Sequence, residues 1–181
     1  MIKLHVTKKL SAKLTLDDYG CLPGKSTTPE ALIQEENLLS GWHANLITIQ
    51  RRNCVIFIHD ETRFPLFAPC LKKPDFANLN YWFVDSYMNT LLKCGASHQQ
   101  MEQADSLLQP LVIDTLCNRS VQGTMNQMAG DVQHMLRYDR VDVVDLAGYS
   151  VGAWLAERPC SIKGRPQGVW PIRDMLAMLT L

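Results

Sequence analysis

Apolar and polar residues alternate from Ile2 to Val6, the period of a half-buried strand. Lys8–Leu16 fits neither the strand nor the helix period cleanly. Asp17–Lys25 holds Asp-Asp, two glycines and a proline, and reads as a loop. Thr27-Thr28-Pro29-Glu30 then predicts a helix start: Thr27 with Glu30 fits a capping box and Pro29 suits the first turn. Leu32, Ile33, Leu38 and Leu39 supply its apolar side, and Gly41 ends it.

The middle of the chain predicts β structure. Trp42 to Ile49 alternates loosely, and Asn53 to Asp60 is continuously apolar at its centre, as a strand covered on both faces is. Gln50–Asn53 is the turn between them. Phe64–Ala68 predicts a third strand, which Pro65 places at a sheet edge. Connections this short make an antiparallel meander. If the first hairpin closes with Ile49 facing Cys54, paired positions sum to 103 and His43 lies opposite Asp60.

The second half predicts helices. Phe76, Leu79, Phe83, Tyr87, Leu91 and Leu92 recur at helical spacing between Asp75 and Cys94, with Gly95 as the stop. A second helix covers Gln99–Gln109 and ends at Pro110. A third covers Ser120–Arg137, with Val121, Met125, Met128, Val132, Met135 and Leu136 as its stripe. Val141–Leu146 alternates again and predicts a strand. Trp154-Leu155-Ala156 and Val169-Trp170 are short apolar pieces between turns. Met175–Leu181 reads as a short helix, apolar nearly all round, that must be buried on its own domain or on a copy. Strands first and helices later make the fold class α+β. The expected architecture is a small antiparallel sheet, formed by the meander of residues about 42–68 plus the N-terminal strand, packed against three or four helices in one domain over 1–181.

Composition narrows the function classes. With 46% hydrophobic and 20% charged residues, 181 residues build one core and are no disordered tail. Eighteen basic residues balance eighteen acidic ones. A nucleic-acid partner is therefore not expected, since such binders concentrate positive charge to displace phosphate counterions. Lys3, Lys8, Lys9 and Lys13 form the one basic run, and read as a solvated face. The six cysteines include no C-x-x-C pair and no zinc knuckle, so they read as small core hydrophobes with no metal or cofactor expected. No apolar leader opens the chain, and Val55–Ile58, its longest plain apolar stretch, is far too short to span a bilayer. A reducing cytoplasm and no membrane contact are the expectation.

Two motifs imitate chemistry. Gly148-Tyr149-Ser150-Val151-Gly152 matches the nucleophile elbow G-x-S-x-G, yet in that family the partner histidine follows the serine, and the last histidine here is His134. The plainer reading is a Gly-bounded turn with positive φ. Gly20-Cys21-Leu22-Pro23-Gly24-Lys25-Ser26 is one residue short of a phosphate loop, and Pro23 removes a backbone donor that such a loop needs.

The candidate catalytic residues are His43, His59 and Asp60. A carboxylate beside an imidazole favours the charged ring and orients it for acid–base work. The plainer reading is a hydrogen-bonded polar pair at the open end of a hairpin. Arg51 and Arg52 sit at the hairpin tip, where paired arginines can grip a carboxylate or phosphate. Eight residues of strand, more than about 20 Å, separate them from His43, which leaves Arg119 as the arginine able to join it. Asn118, Arg119 and Asn126 are the candidate ligand-binding residues, with Asn118 or Ser120 also suited to cap the helix.

Several blocks taken in order carry a resemblance. They are Thr7-Lys8-Lys9-Leu10, Trp42-His43-Ala44-Asn45-Leu46 and Arg51-Arg52-Asn53-Cys54-Val55, then Asn118-Arg119-Ser120-Val121-Gln122-Gly123-Thr124-Met125-Asn126, then Trp154-Leu155-Ala156-Glu157-Arg158-Pro159-Cys160. The chain resembles an uncharacterised bacterial domain family with a TKKL-like start, a WHANL strand, a hairpin and an N-R-S-x-x-G-x-M-N helix. The likeness runs from Thr7 to Cys160. It implies a single bacterial domain and no catalytic residues to carry over.

Two functions are then expected from different classes. The first is a non-enzymatic cytoplasmic interaction or accessory module of a mobile-element or stress-related locus, bound to a protein partner or to itself. Self-association would use the hairpin edge, exposed members of Trp82, Trp154 and Trp170, and the C-terminal run. The alternative is a small hydrolase or nuclease-like enzyme that uses a His/Asp pair on the central hairpin. The discriminating geometry is whether His43, Asp60 and an arginine share one concave pocket.

Overall fold

A computed structural model describes residues 1–23, 37–162 and 165–180, Arg165 by its backbone alone. The N-terminal alternation folds as β1 (Ile2–Val6), followed by one turn of helix, α1 (Lys8–Ser11). The helix expected from Thr27 falls in 24–36, outside the described residues. Where description resumes, Leu38 and Leu39 lie in a turn in which the Ser40 N–H donates to the Asn37 carbonyl (2.9 Å).

The meander forms as expected: β2 (Trp42–Ile49), β3 (Arg52–His59) and β4 (Pro65–Leu71) pair antiparallel in sequence order. β4 is an outer strand, as Pro65 indicated. The register differs from the expected one. Ile49 pairs with Arg52, Trp42 with His59 and His43 with Ile58. Gln50 and Arg51 alone make the turn, both at positive φ (47° and 66°). That is a two-residue type I′ connection, whose twist matches the strands it joins. The slip from the expected pairing is two residues, so every side chain keeps its face.

The sheet is mixed rather than purely antiparallel. Its order is β4-β3-β2-β1-β5, and β1 runs parallel to both β2 and β5 (Leu111–Asp114). A parallel neighbour needs a long crossover, which residues 7–41 supply. β5 has only four residues behind Pro110 and shows too little alternation to be read as a strand. Gly20, at φ +79°, lies against it: a Cβ there would meet the Ile113 carbonyl oxygen at 2.4 Å, and the Ile113 N–H donates to the Gly20 carbonyl (2.9 Å). The first glycine of the imitation phosphate loop thus serves close backbone packing.

Alternation sends the strands' side chains into two cores. Ile2, Leu4, Trp42, Ala44, Val55 and Phe57 face one way, against α3 (Leu79–Lys93), α4 (His98–Leu107) and α7 (Pro171–Met178). Trp42 anchors this layer; its ring meets Phe83 and Tyr87 edge-on and its indole N–H donates to the Leu39 carbonyl (2.8 Å). The C-terminal helix is buried on its own domain through Met175 and Leu179. The helix expected over Asp75–Cys94 divides at Asn78 into α2 (Lys73–Ala77) and α3, and ends before Gly95 as expected.

Ile47, Ile49, Cys54, Ile56 and Ile58 face the other way, under α5 (Arg119–Asp139), whose stripe of Val121, Met125, Met128, Val132 and Leu136 packs on them. Val141–Leu146 is not a strand. Val143–Asp145 forms a short 3-10 turn, because the Asp142 carboxylate accepts the Val144 N–H (3.1 Å) and closes the backbone locally. The apolar piece at Trp154 belongs to α6 (Gly148–Ala156), which covers the outer strand β4. Both glycines of G-x-S-x-G are helical, not positive-φ turn residues. A Cβ on Gly148 would meet the Phe67 carbonyl oxygen at 2.3 Å, so this glycine sets the approach of α6 to β4. A small hairpin of β6 (Cys160–Ile162) and β7 (Arg165–Val169) precedes α7.

Candidate functional site

On β1, residues 2, 4 and 6 are core residues, so His5 must emerge on the α5 side. Parallel pairing sets His5 beside His43 on β2 and beside Asp114 on β5. Asp60 follows the end of β3. A row Asp114, His5, His43, Asp60 therefore crosses one end of the sheet at the N-terminus of α5. His5 Nδ1 lies 2.6 Å from Asp114 Oδ1, His43 Nδ1 lies 2.5 Å from Asp60 Oδ1, and the two rings are 4.9 Å apart. The expected His43–Asp60 partnership stands, although in this register the two residues are not directly opposed.

The protonation pattern of His43 follows from its neighbours. The Asn118 backbone N–H, which can only donate, reaches His43 Nε2 at 2.6 Å. Nε2 is therefore the acceptor, and Nδ1–H donates to Asp60. Asn118 in turn caps α5, its side-chain oxygen accepting the Ser120 N–H (2.8 Å). Asp60, His43 and Asn118 thus chain the end of β3 to the start of α5. His43 is only 1% exposed, and its one basic nitrogen is occupied by the backbone.

His59 does not join this row. It pairs with Trp42 and shares its face, on the opposite side of the sheet, its ring tilted 52° to the indole at 5.0 Å. Its Nδ1 accepts from the Thr62 N–H (3.3 Å) and hydroxyl (2.9 Å). Burial pushes its pKa down to about 4, against the opposing pull of the Asp60 and Glu61 charges and the Ser40 backbone. His59 is a neutral core histidine.

Arg119 and Asn126 are both exposed on α5, two turns apart, and among the described residues neither is hydrogen-bonded or ion-paired to the row. The arginine that joins is Arg63, in the tight turn after β3 at φ 58°. Its guanidinium donates to the Asp60 carbonyl and to Ser120 Oγ (3.3 Å), and it is buried. Nothing in the local pattern marked Arg63. Alternation over Ile2–Val6 sets the face of His5 but assigns it no role, and Asp114 lies on a strand too short to read from its pattern. Cys117, beside the row, has its thiol pKa raised, first by burial and then by the Asp114 and Asp60 carboxylates, with Gln122 opposing. That disfavours the nucleophilic thiolate. Among the described residues no three His, Cys, Asp or Glu side chains stand close enough to hold a metal ion.

The described cavities lie elsewhere. The largest, about 790 Å³, runs between α5 and α6 and is lined by Asp131, Tyr138, Asp139, Trp154, Glu157 and Arg158 among others. Tyr138 is 82% exposed and Trp154 43%. Asp131 and Arg158 neutralise each other in an ion pair. Asp139 and Glu157 have no ion-pair partner among the described residues.

Residues 3–174 match the family described as Domain of unknown function (DUF6933). The chain belongs to this family. The resemblance read from its ordered blocks is thereby met by an uncharacterised domain family, and the DUF6933 match takes in the whole row from His5 to Asp114. No curated protein and no solved structure matches the chain. Among the described residues no helix of this DUF6933 chain is long and apolar enough to cross a membrane.

Proposed function

We propose that this chain is a non-enzymatic interaction module whose partner is a protein presenting a basic segment to the α5–α6 groove. The groove carries the reading. It combines two exposed aromatic side chains, Trp154 and Tyr138 (the latter stacked on His134), with two carboxylates that no described cation pairs with. A guanidinium stacked on Trp154 gains a cation–π contact of about 0.5–2 kcal/mol, and the fork of an arginine fits a carboxylate in bidentate fashion. Arg137 and Arg140 flank the groove in sequence without lining it, and they would select the register of a basic segment by repulsion. His43 supports the non-enzymatic half of the reading, because a buried imidazole whose Nε2 already accepts a backbone N–H has no lone pair to offer a substrate.

A cytoplasmic setting is part of the proposal. All six cysteines are free thiols, and burial raises Cys54 and Cys94 to about 11, where they behave as small apolar groups in a reducing compartment.

The test is a titration of the full chain with a short peptide of alternating arginine and glycine at low salt, followed by tryptophan emission. Saturable binding is expected, weakened at least fivefold by Trp154→Ala and by Glu157→Gln, and absent for the same peptide with glutamate in place of arginine. No saturation, or binding indifferent to both substitutions, overturns the partner class. A concentration-dependent mass that Trp154→Ala abolishes would assign the groove to a second copy instead. Hydrolysis of a generic phosphodiester or ester that is lost in folded His5→Gln would overturn the non-enzymatic half.

A further inference from the structure

A second cavity, about 460 Å³, lies at the opposite end of the β2–β3 hairpin from the histidine row and is lined by Arg51, Arg52, Asn53, Cys70, Lys72 and Val144, with Leu71. Its three charged lining groups are all cations. Arg51 and Arg52 come from the hairpin tip, while Lys72 comes from the end of β4, so two separate segments of chain bring them together. None of the three has an ion-pair partner among the described residues.

The walls are fixed. The Gln50 amide donates to the Val141 carbonyl (3.1 Å), and its oxygen accepts the Val143 N–H (2.7 Å). That strap ties the hairpin tip to the 3-10 turn that supplies Val144. On the facing strand the β3–β4 register shifts between Asn53 and Val55, and Cys70 takes φ 58°. The bulge re-aims the end of β4 and brings Cys70, Leu71 and Lys72 to the cavity. Arg51 and Cys70, both non-glycine residues at positive φ, line it. Such conformations are costly for non-glycine residues and persist where the surroundings hold them. Two carboxylates lie near. Asp75 accepts the Lys72 backbone N–H (2.6 Å) and Asp142 the Val144 N–H (3.1 Å), and neither lines the cavity.

We infer that this cavity is a binding site for a small phosphate-bearing anion, a phosphate monoester or diphosphate. Two guanidinium forks and an ammonium match the several oxygens of a phosphoryl group, which accept paired N–H donors from arginine. The Asn53 amide adds a neutral donor. The volume admits a small molecule, and Val144 and Leu71 offer apolar contact to the part that carries the phosphate. The site is independent of the α5–α6 groove, and either can fail without the other.

Inorganic pyrophosphate is the probe, followed by amide chemical shifts of the isotope-labelled full chain at constant low ionic strength. Saturable shifts confined to residues 51–53, 70–72 and 144 are expected. Inorganic phosphate should bind more weakly at the same place, and succinate more weakly still. Arg52→Gln and Lys72→Gln should each weaken pyrophosphate binding about tenfold, the loss of one charge-assisted contact. Arg51→Asn does the same while keeping a residue that tolerates positive φ, so a folding failure cannot account for the loss. Lys93→Gln, an exposed charge on α3 outside the cavity, should change nothing. Shifts spread over the whole surface, equal response to succinate, or equal weakening by Lys93→Gln would overturn the inference.

Discussion

His5 and His43 face each other across the parallel β1–β2 pairing, their rings 4.9 Å apart and each held through Nδ1 by its own aspartate. The two pairs are not equivalent. His43 is sealed beneath the start of α5, whereas 17% of the His5 side chain is exposed and Asp114 is more open still. One is a strut between β3 and α5, and the other is the rim of the sheet beside it.

The strut should be measurable as a coupled pair. His43→Ala leaves the Asn118 N–H without its acceptor and Asp60 without its donor, at an expected cost of about 2 kcal/mol. Asp60→Ala should cost somewhat less, since its side chain is about one-third exposed. Urea melts of both singles and the double close a mutant cycle. A double loss well below the sum marks a structural pair, and full additivity would dismiss the strut.

His59 makes stability depend on acid. Its folded pKa, about 4, lies below the 6.5 of the unfolded chain, so between those values the unfolded state holds more protons. Stability contributed by the neutral ring is complete above pH 6.5 and is lost as the pH falls towards 4. The loss amounts to about 3 kcal/mol for a group this deeply buried. His59→Gln should flatten that part of the pH profile while Thr62 keeps an acceptor. Parallel profiles for the two proteins would refute the assignment.

The glycines of the helices separate into two kinds. Gly148→Ala drives a Cβ into the Phe67 carbonyl and should cost about 2–3 kcal/mol by pushing α6 off β4. Gly123→Ala meets nothing within 4 Å inside α5 and should stabilise by about 0.5–1 kcal/mol through helix propensity. Ser150→Ala should leave the melting temperature and any binding unchanged. Thermal melts check all three.

The hairpin turn offers a contrast between neighbours. Both its residues sit at positive φ, which glycine and asparagine adopt most readily. Arg51→Gly should therefore stabilise by about 0.5–1 kcal/mol. Gln50→Asn improves the turn equally on paper, yet shortens the strap to Val141 and Val143 and should lower stability. A denaturant midpoint that rises for both would show that the strap carries nothing.

Local features of the chain were legible where the forces that set them are local. The meander could be read because its strands are joined by short turns, the edge position of β4 because Pro65 cannot donate to a ladder, and α5 because its stripe repeats over about four turns. The His43–Asp60 partnership was legible despite a misplaced register, because a two-residue slip preserves the face of every strand residue. Val141–Leu146 alternates as a strand does yet turns, because the Asp142 carboxylate offers the Val144 N–H a local partner in place of a ladder. The local pattern does not show why position 148 is glycine, because that requirement comes from Phe67, about eighty residues away in the chain.

Hydrophobic spacing by itself determined that this protein is an α+β domain with a three-stranded meander and long amphipathic helices, because burial acts on each segment's own period. Tertiary structure alone decided that β1 enters parallel between β2 and β5, that Asp114, His5, His43 and Asp60 form a row, and that Arg63 rather than Arg119 meets it. Those outcomes depend on pairing between strands as much as 109 residues apart. No local propensity encodes which distant backbone will satisfy a strand's free hydrogen bonds; only the packing of the whole chain selects it.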